Sequence, residues 1–270
     1  MKLMKIAAIQ MNVCEEKEAN LRKAEQAVRI AKASGADLAA LPEMFLCPYA
    51  TELFPSYAEP EGGSSYLRLS ELARDNVLYL VAGSMPEIDS QGRIYNTSYV
   101  FDPSGQLIGK HRKAHLFDIS IQGGQHFKES DTLTAGDHPT VFDTSFAKIG
   151  LAICYDFRFP ELSRSMVDRG AEIIIVPAAF NMTTGPAHWE VLFRSRAIDN
   201  QVYTLGVAPA RNEKASYVSY GNSIFVSPWG DVVDRLGADE GIMMCDVDLE
   251  KIMSVRRQLP LLAHRRPGIY

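Results

Sequence analysis

Cys154 has the surroundings most typical of a nucleophile in this 270-residue chain. An apolar segment over residues 148–153 predicts a buried strand, and Pro160 suits the first position of a following helix. This order would hold the thiol at the carboxyl edge of a sheet, where α/β proteins place their sites. The backbone N–H of Tyr155 could then face a developing oxyanion. The alternative is that Cys154 is a small buried core residue, as most free cysteines are.

A catalytic thiol needs a base or a cation nearby, because at its ordinary pKa of about 8.5 it is mostly protonated at neutral pH. None of the six histidines lies in a thiol-protease signature. A papain-like pattern has a cysteine near the start of its domain with histidine and asparagine well downstream, and here only His188 and His264 follow Cys154. A histidine partner is therefore poorly supported.

Two other segments offer charged partners for the thiol. Glu43 directly follows the apolar segment 37–42, so it lies at the same kind of sheet edge as Cys154 and could be its base, or else a solvated loop residue. The segment 109–118 is a basic cluster that includes Lys113. Such a cluster is either a charged surface or phosphate contact, or the source of a lysine that stabilises a tetrahedral oxyanion.

The elements that must position these residues alternate between strands and helices. Strands are predicted at residues 5–10, 37–42, 77–83, 93–101, 106–110, 148–153, 172–177, 203–208, 222–227 and 241–247. Helices are predicted at residues 15–34, 65–76, 160–169, 187–200 and 249–257. The first strand, helix and strand predict a parallel pair with a right-handed crossover. Segment 119–139 still carries aromatics and does not resemble a flexible linker, so we predict a single domain over residues 1–270.

Composition narrows the class of function. A formal charge of −5 gives no reason to expect nucleic acid or an anionic membrane surface as a partner, and the basic run 264–266 is short. The N-terminal apolar run is too short for a signal peptide, and no stretch approaches the roughly 20 apolar residues that span a bilayer. We therefore expect a cytoplasmic protein with four free thiols. No spacing of histidine, cysteine and carboxylate predicts a metal site.

Taken together, the three segments resemble the nitrilase (carbon–nitrogen hydrolase) superfamily. The resemblance extends over residues 5–262 and is carried by Leu41-Pro42-Glu43, Lys110-His111-Arg112-Lys113 and Gly150-Leu151-Ala152-Ile153-Cys154-Tyr155-Asp156. It implies an α/β fold, a four-layer α-β-β-α sandwich, usually assembled as homodimers through the outer helices. Residues 113–118, 180–190, 199–203 and 209–217 are similar to the omega-amidase branch. That branch hydrolyses the terminal amide of 2-oxoglutaramate and 2-oxosuccinamate, without a cofactor.

The resemblance also implies roles for individual residues. Glu43, Lys113 and Cys154 match the catalytic glutamate, lysine and cysteine of the family, and Glu129 matches its second glutamate. The substrate carboxylate requires a cation, for which we expect Arg158, although Arg158 could instead pair with Asp156 or Glu161. By resemblance, the pocket is lined by Phe117, Phe180 and Thr183.

Several alternatives remain open from the sequence. For His115, His188 and Trp189 a structural role is expected rather than a catalytic one. Within the enzyme class the alternatives are an N-carbamoyl amidase, an aliphatic amidase or a nitrilase. A non-catalytic binding protein on the same fold is the alternative from another class, since a fold alone does not imply a function.

Overall fold

A computed structural model describes residues 3–122 and 126–269 of the chain. The strands in that part of the chain are β1 (Met4–Gln10), β2 (Leu38–Ala40), β3 (Tyr79–Val81), β4 (Met85–Ile88), β5 (Ile94–Phe101), β6 (Leu107–Arg112), β7 (Asp118–Ser120), β8 (His126–Lys128), β9 (Thr140–Asp143), β10 (Lys148–Leu151), β11 (Ile173–Pro177), β12 (Tyr203–Val207), β13 (Ile224–Val226), β14 (Val232–Arg235) and β15 (Gly241–Val247). The α-helices are α1 (Lys17–Ala33), α2 (Phe54–Tyr57), α3 (Ser64–Asn76), α4 (Pro160–Asp168), α5 (Gly185–Asn200) and α6 (Leu249–Gln258). Single 3₁₀ turns occupy Glu129–Asp131 and Cys154–Arg158.

Most of the strands form two large mixed sheets. The first has the order β15-β1-β2-β3-β5-β4, with β6 also paired to β5, and its strands β1, β2 and β3 are parallel. The second has the order β14-β13-β12-β11-β10-β9, with β10, β11 and β12 parallel. In both sheets the parallel strands are joined by helices, as the crossover rule requires. The chain segments that follow β2 and β10 therefore begin at the edge of each sheet where the parallel strands have their carboxyl ends.

The two sheets pack face to face and are covered by helices on their outer faces. Between the sheets lies an apolar layer that includes Ile6 and Leu38 from the first sheet and Ile149 and Leu205 from the second. Helices α1 and α3 pack on the outer face of the first sheet, and α4 and α5 on that of the second. Alternate residues of each strand thus enter different layers, as the period of two in a strand demands. The predicted four-layer α-β-β-α sandwich is confirmed.

The differences from the predicted elements have local causes. The strand predicted from residue 77 begins only at Tyr79, because Val77 ends α3 in a left-handed conformation with φ of 47°. Strands β4, β9 and β14 were not predicted. Each is four residues long and lies at the edge of its sheet, where one partner strand is enough and the hydrophobic pattern is weak. The paired strands β7 and β8 lie between residues 118 and 128, so all but Asp118 falls in segment 119–139, and residues 123–125 of that segment lie outside the described residues.

Candidate active site

The four residues predicted to be catalytic lie together at the carboxyl edge of the two sheets. Glu43 follows β2, Lys113 follows β6, Cys154 follows β10, and Glu129 begins the 3₁₀ turn after β8. All four side chains are buried, with no more than 5 % of any of these residues exposed. Buried charged side chains are rare unless they are paired, so this cluster needs internal partners.

Lys113 supplies the pairing. Its Nζ donates to Glu43 Oε1 at 3.0 Å and to Glu129 Oε1 at 2.9 Å. Burial alone would lower the pKa of Lys113, but the carboxylates of Glu129 and Glu43 outweigh it and raise the pKa. The ammonium is therefore charged, and it is held between two carboxylates.

Glu43 is fixed by donors on both of its oxygens. Oε1 accepts from Asn96 Nδ2 at 2.9 Å, and Oε2 accepts from the backbone N–H of Ala179 at 2.7 Å. Burial, followed by the negative charge of Glu43, raises the pKa of Cys154 far above its ordinary value, whereas Lys113 acts in the opposite direction. The Glu43 carboxylate is near enough to the thiol for its charge to act on that pKa. The resting thiol is therefore protonated, with a carboxylate nearby to accept its proton.

The backbone at Cys154 makes an abrupt turn. Cys154 has φ of 47°, which is uncommon for a residue other than glycine, and it starts the 3₁₀ turn that separates β10 from α4. Because this turn begins there, its first N–H groups have no partner within the turn. Among the described residues, the Tyr155 N–H donates no hydrogen bond. That donor is available to a ligand beside the thiol.

Asp156 ties the loop of Lys113 to the turn of Cys154. Its carboxylate accepts from the N–H groups of Ile153 at 3.1 Å and of His115 at 2.8 Å, and it meets His111 Nε2 at 2.9 Å. Burial would raise the pKa of Asp156, but the hydrogen bonds from His111, His115 and the backbone outweigh it and lower the pKa. Sequence reasoning did not identify this role, although Asp156 lies inside the segment that carried the resemblance.

Tyr49 is a second residue that sequence reasoning missed. Its hydroxyl lies 2.6 Å from Glu129 Oε1 and 3.0 Å from Glu43 Oε1, and it accepts from Lys113 Nζ at 3.3 Å. Its ring stacks on Tyr217 with the centroids 4.5 Å apart. A tyrosine in a loop after Glu43 carries no sequence signal of such a contact, because the loop has no periodicity that fixes the direction of its side chains.

Arg158 lies beside this cluster and has no carboxylate partner among the described residues. The guanidinium is 4.5 Å from the centre of the Phe180 ring, and its Nη1 lies 3.0 Å from His188 Nδ1. No described carboxylate forms an ion pair with it, so the alternative pairing with Asp156 or Glu161 is wrong. Burial lowers the pKa of Arg158, whereas nearby Cys154 acts in the opposite direction. The structure therefore contains a partly desolvated cation close to the thiol.

The other predicted pocket residues differ in their positions. Phe117 is buried, donates its N–H to Glu129 Oε2 at 2.7 Å, and packs edge-to-face on Tyr155. Phe180 is buried beneath Arg158. Thr183 is exposed, and its backbone N–H donates to Asn181. No described contact joins the Thr183 side chain to the cluster.

The remaining residues singled out in the sequence have structural surroundings. Trp189 has the structural role predicted for it, because it is fully buried and donates Nε1–H to the carbonyl of Asn222. His115 stacks on Phe159 with the ring centroids 3.8 Å apart. His188, in contrast, does not pack in the core but is exposed beside Arg158. Over residues 3–122 and 126–269, no three histidine, cysteine or carboxylate side chains are arranged to hold a metal ion, and no helix is long and apolar enough to cross a membrane.

Known proteins share this sequence and this geometry. The family model described as carbon-nitrogen hydrolase matches residues 5–257. The mouse protein named omega-amidase NIT2 is 48 % identical over 270 residues, which cover 100 % of this chain and 98 % of the mouse protein.

Solved structures agree with the sequence comparison. The crystal structure of Saccharomyces cerevisiae Nit3, a member of branch 10 of the nitrilase superfamily, superimposes with a TM-score of 0.91 at 42 % identity, covering 98 % of this chain and 97 % of Nit3. A mutant amidase from Nesterenkonia sp. AN1 superimposes with a TM-score of 0.83 at 25 % identity, covering 98 % and 95 %. In that amidase the acetamide moiety of fluoroacetamide is added covalently at the active-site cysteine. The resemblance drawn from the sequence is confirmed, and the chain belongs to the carbon–nitrogen hydrolase family of the nitrilase superfamily.

Proposed function

We propose that this chain is an omega-amidase-type enzyme, which hydrolyses the terminal amide of a small 2-oxo acid such as 2-oxoglutaramate or 2-oxosuccinamate. The observation that carries the proposal is the combination of a buried Cys154–Glu43–Lys113 cluster with a neighbouring cation, Arg158, for which no described carboxylate is a partner. The first part suits amide hydrolysis, and the second suits a substrate with a carboxylate at its far end. The mouse relative's name points to the same activity.

The first half of the reaction is acylation of the thiol. Glu43 accepts the thiol proton as Cys154 Sγ attacks the amide carbon, and the carbonyl oxygen becomes an oxyanion. Lys113 and the Tyr155 N–H stabilise that oxyanion, each contributing about 3 kcal/mol. When the carbon–nitrogen bond breaks, Glu43 returns its proton to the departing ammonia. The product on the enzyme is a thioester.

The second half is hydrolysis of the thioester. Glu43 removes a proton from water, the resulting hydroxide attacks the thioester carbon, and the thiolate leaves and is reprotonated by Glu43. Glu129 keeps Lys113 in place through both halves, because its Oε1 is 2.9 Å from the ammonium. No cofactor or metal enters any of these steps.

The far end of the substrate is bound by the neighbouring residues. Arg158 grips the carboxylate, with a planar fork of donors that suits two carboxylate oxygens. Phe117 and Phe180 form apolar walls of the pocket, and Thr183 contributes to its rim. A partly buried cation that has no carboxylate partner among the described residues favours a substrate that supplies one.

We also propose that the chain forms one domain and acts as a homodimer in the cytoplasm. On the outer face of α5 and the turn after β13, the large apolar side chains of Val191, Ile198 and Trp229 are between 39 and 62 % exposed. The C-terminal end of α5 lies against that turn, since Ile198 is the nearest side chain to Gly230. Apolar side chains grouped on one surface are typical of an interface.

The test of the function is ammonia release from a panel of amides by the wild type and by Cys154→Ala. The panel contains 2-oxoglutaramate, glutamine, asparagine, an N-carbamoyl amino acid and a simple nitrile. We expect a strong preference for the 2-oxo amide, and a folded Cys154→Ala protein without activity. Preference for the N-carbamoyl substrate would contradict the proposed substrate but not the cysteine chemistry. Full activity of Cys154→Ala in a clean preparation would contradict the mechanism.

A further inference from the structure

The contact between Arg158 and His188 constrains the chemistry of both groups. Arg158 Nη1 and His188 Nδ1 are 3.0 Å apart. A guanidinium has only donors, so Nδ1 must be the acceptor, and the imidazole proton of a neutral His188 is then on Nε2. His188 therefore holds the guanidinium through a lone pair and carries no negative charge.

A neutral partner is unusual for an arginine that is partly withdrawn from water. Arginine in such surroundings is commonly paired with Asp or Glu, in a bidentate ion pair. Here the guanidinium has the face of Phe180 on one side, 4.5 Å away, and the lone pair of His188 on another. Both contacts orient the cation, and neither neutralises it.

We propose that His188 is a positioning residue that sets substrate specificity, because it orients Arg158 while leaving its positive charge for the carboxylate of the substrate. This inference rests on the proposed function and extends it to a residue outside the catalytic cluster. A carboxylate at position 188 would hold the guanidinium equally well, but it would also neutralise it and repel an anionic substrate.

The fold gives His188 a fixed place for this task. It is the fourth residue of α5, and its N–H donates to the carbonyl of Thr184 at 2.9 Å. The next residue, Trp189, is fully buried and anchored through its Nε1–H to Asn222. The backbone at 188 is therefore held by the core, while the exposed His188 side chain contributes nothing to it. Substitutions at this position should leave the fold intact.

The test compares His188→Asn with His188→Asp. In both variants an oxygen takes the place of Nδ1, so each can accept from Arg158, and the two side chains differ in charge rather than in size. The substrates are succinamate and butanamide, which have the same chain length and differ in having a carboxylate or a methyl group at the end remote from the amide. The measured quantity is the ratio of kcat/KM for succinamate to that for butanamide.

The expected results distinguish the effect of a negative charge at position 188 from that of the hydrogen bond to Arg158. His188→Asp should lower the ratio at least tenfold, mainly by raising the KM for succinamate, whereas His188→Asn should keep it within about threefold of the wild type. Equal ratios for the two variants would overturn the inference, since the charge at position 188 would then have no effect. A wild type that does not prefer succinamate would instead contradict the proposed function. Turnover of butanamide by each variant shows that it is folded.

Discussion

The two ends of the candidate active site differ in whether their charged side chains are paired with opposite charges. At the reacting end, Lys113 is held between Glu43 and Glu129, and every charge has a partner within about 3 Å. At the proposed recognition end, the described partners of Arg158 are a neutral imidazole and the aromatic rings of Phe180 and Tyr155. The difference indicates which charges serve the protein's own machinery and which one is left for a ligand.

Physical chemistry explains why both arrangements are tolerated. A fully buried ion without a partner costs several kcal/mol, so the buried Lys113 requires its carboxylates. Arg158 is only partly buried, and it keeps its charge at a smaller cost. In the proposed function, the reacting end is thus organised before the substrate binds, whereas the charge of Arg158 is paired only when the substrate carboxylate binds.

The largest expected effect on stability is that of removing the cation at the reacting end, compared with removing the cation at the other end. Lys113→Met leaves Glu43 and Glu129 buried without their shared partner, so it should lower the free energy of unfolding by about 3–5 kcal/mol. It should also lower kcat by at least about 10²-fold, because a stabiliser of the oxyanion is lost. Arg158→Met removes a cation for which the described residues form no ion pair, and it should cost about 1 kcal/mol of stability.

Urea unfolding of the two variants, with kcat measured on the same preparations, tests this comparison. The two side chains are replaced by the same residue, so the difference between the two losses of stability reports the pairing. Equal losses in the free energy of unfolding would mean that the pairing of Lys113 with Glu43 and Glu129 is not what makes Lys113 contribute more to stability than Arg158.

Much of the reacting end could be predicted from the sequence, and little of its surroundings. Glu43 and Cys154 each follow a buried apolar strand, and strand ends of parallel sheets are predictable meeting points. Tyr49 contacts Glu129, which is 80 positions away in the sequence. Asp156 contacts Ala114, which is 42 positions away. Such contacts depend on how two sheets pack, which no local pattern encodes. The same applies to His188, whose contact with Arg158 spans 30 positions.

Asp156→Asn extends the comparison, because it weakens the hydrogen bonds that position the reacting end and leaves the ammonium of Lys113 unchanged. The asparagine side chain would present an amide nitrogen to groups that are themselves donors, and the loss of stability should be about 2–3 kcal/mol near pH 7. The pKa of Asp156 is lowered in the folded protein, so its contribution is fully present above the ordinary carboxyl pKa of about 4 and declines as the pH falls below it. The difference between variant and wild type should therefore be nearly constant from about pH 7 to about pH 5 and should shrink as the pH falls below about 4.

Unfolding by urea at several pH values measures this difference. Asp239→Asn is the matched control, because Asp239 is exposed and its side chain has no partner among residues 3–122 and 126–269. It should change the stability by less than about 0.5 kcal/mol at every pH. A loss in Asp156→Asn that stays constant with pH would show that the charge of Asp156 is not what stabilises the turn.

The smallest expected change in free energy is that of Arg158→Lys, which keeps a positive charge at the recognition end but replaces the planar guanidinium with an ammonium. Lysine is a point charge without the planar fork, so it can attract the substrate carboxylate but cannot bind both of its oxygens in one plane. The ratio of the KM for succinamate to that for butanamide should rise about tenfold, which corresponds to about 1.4 kcal/mol. Steady-state kinetics on both amides measures it, and butanamide corrects for any general change in the pocket. An equal rise in both KM values would show that Arg158 shapes the pocket without recognising the carboxylate, and the contrast between the two ends would then be one of burial alone.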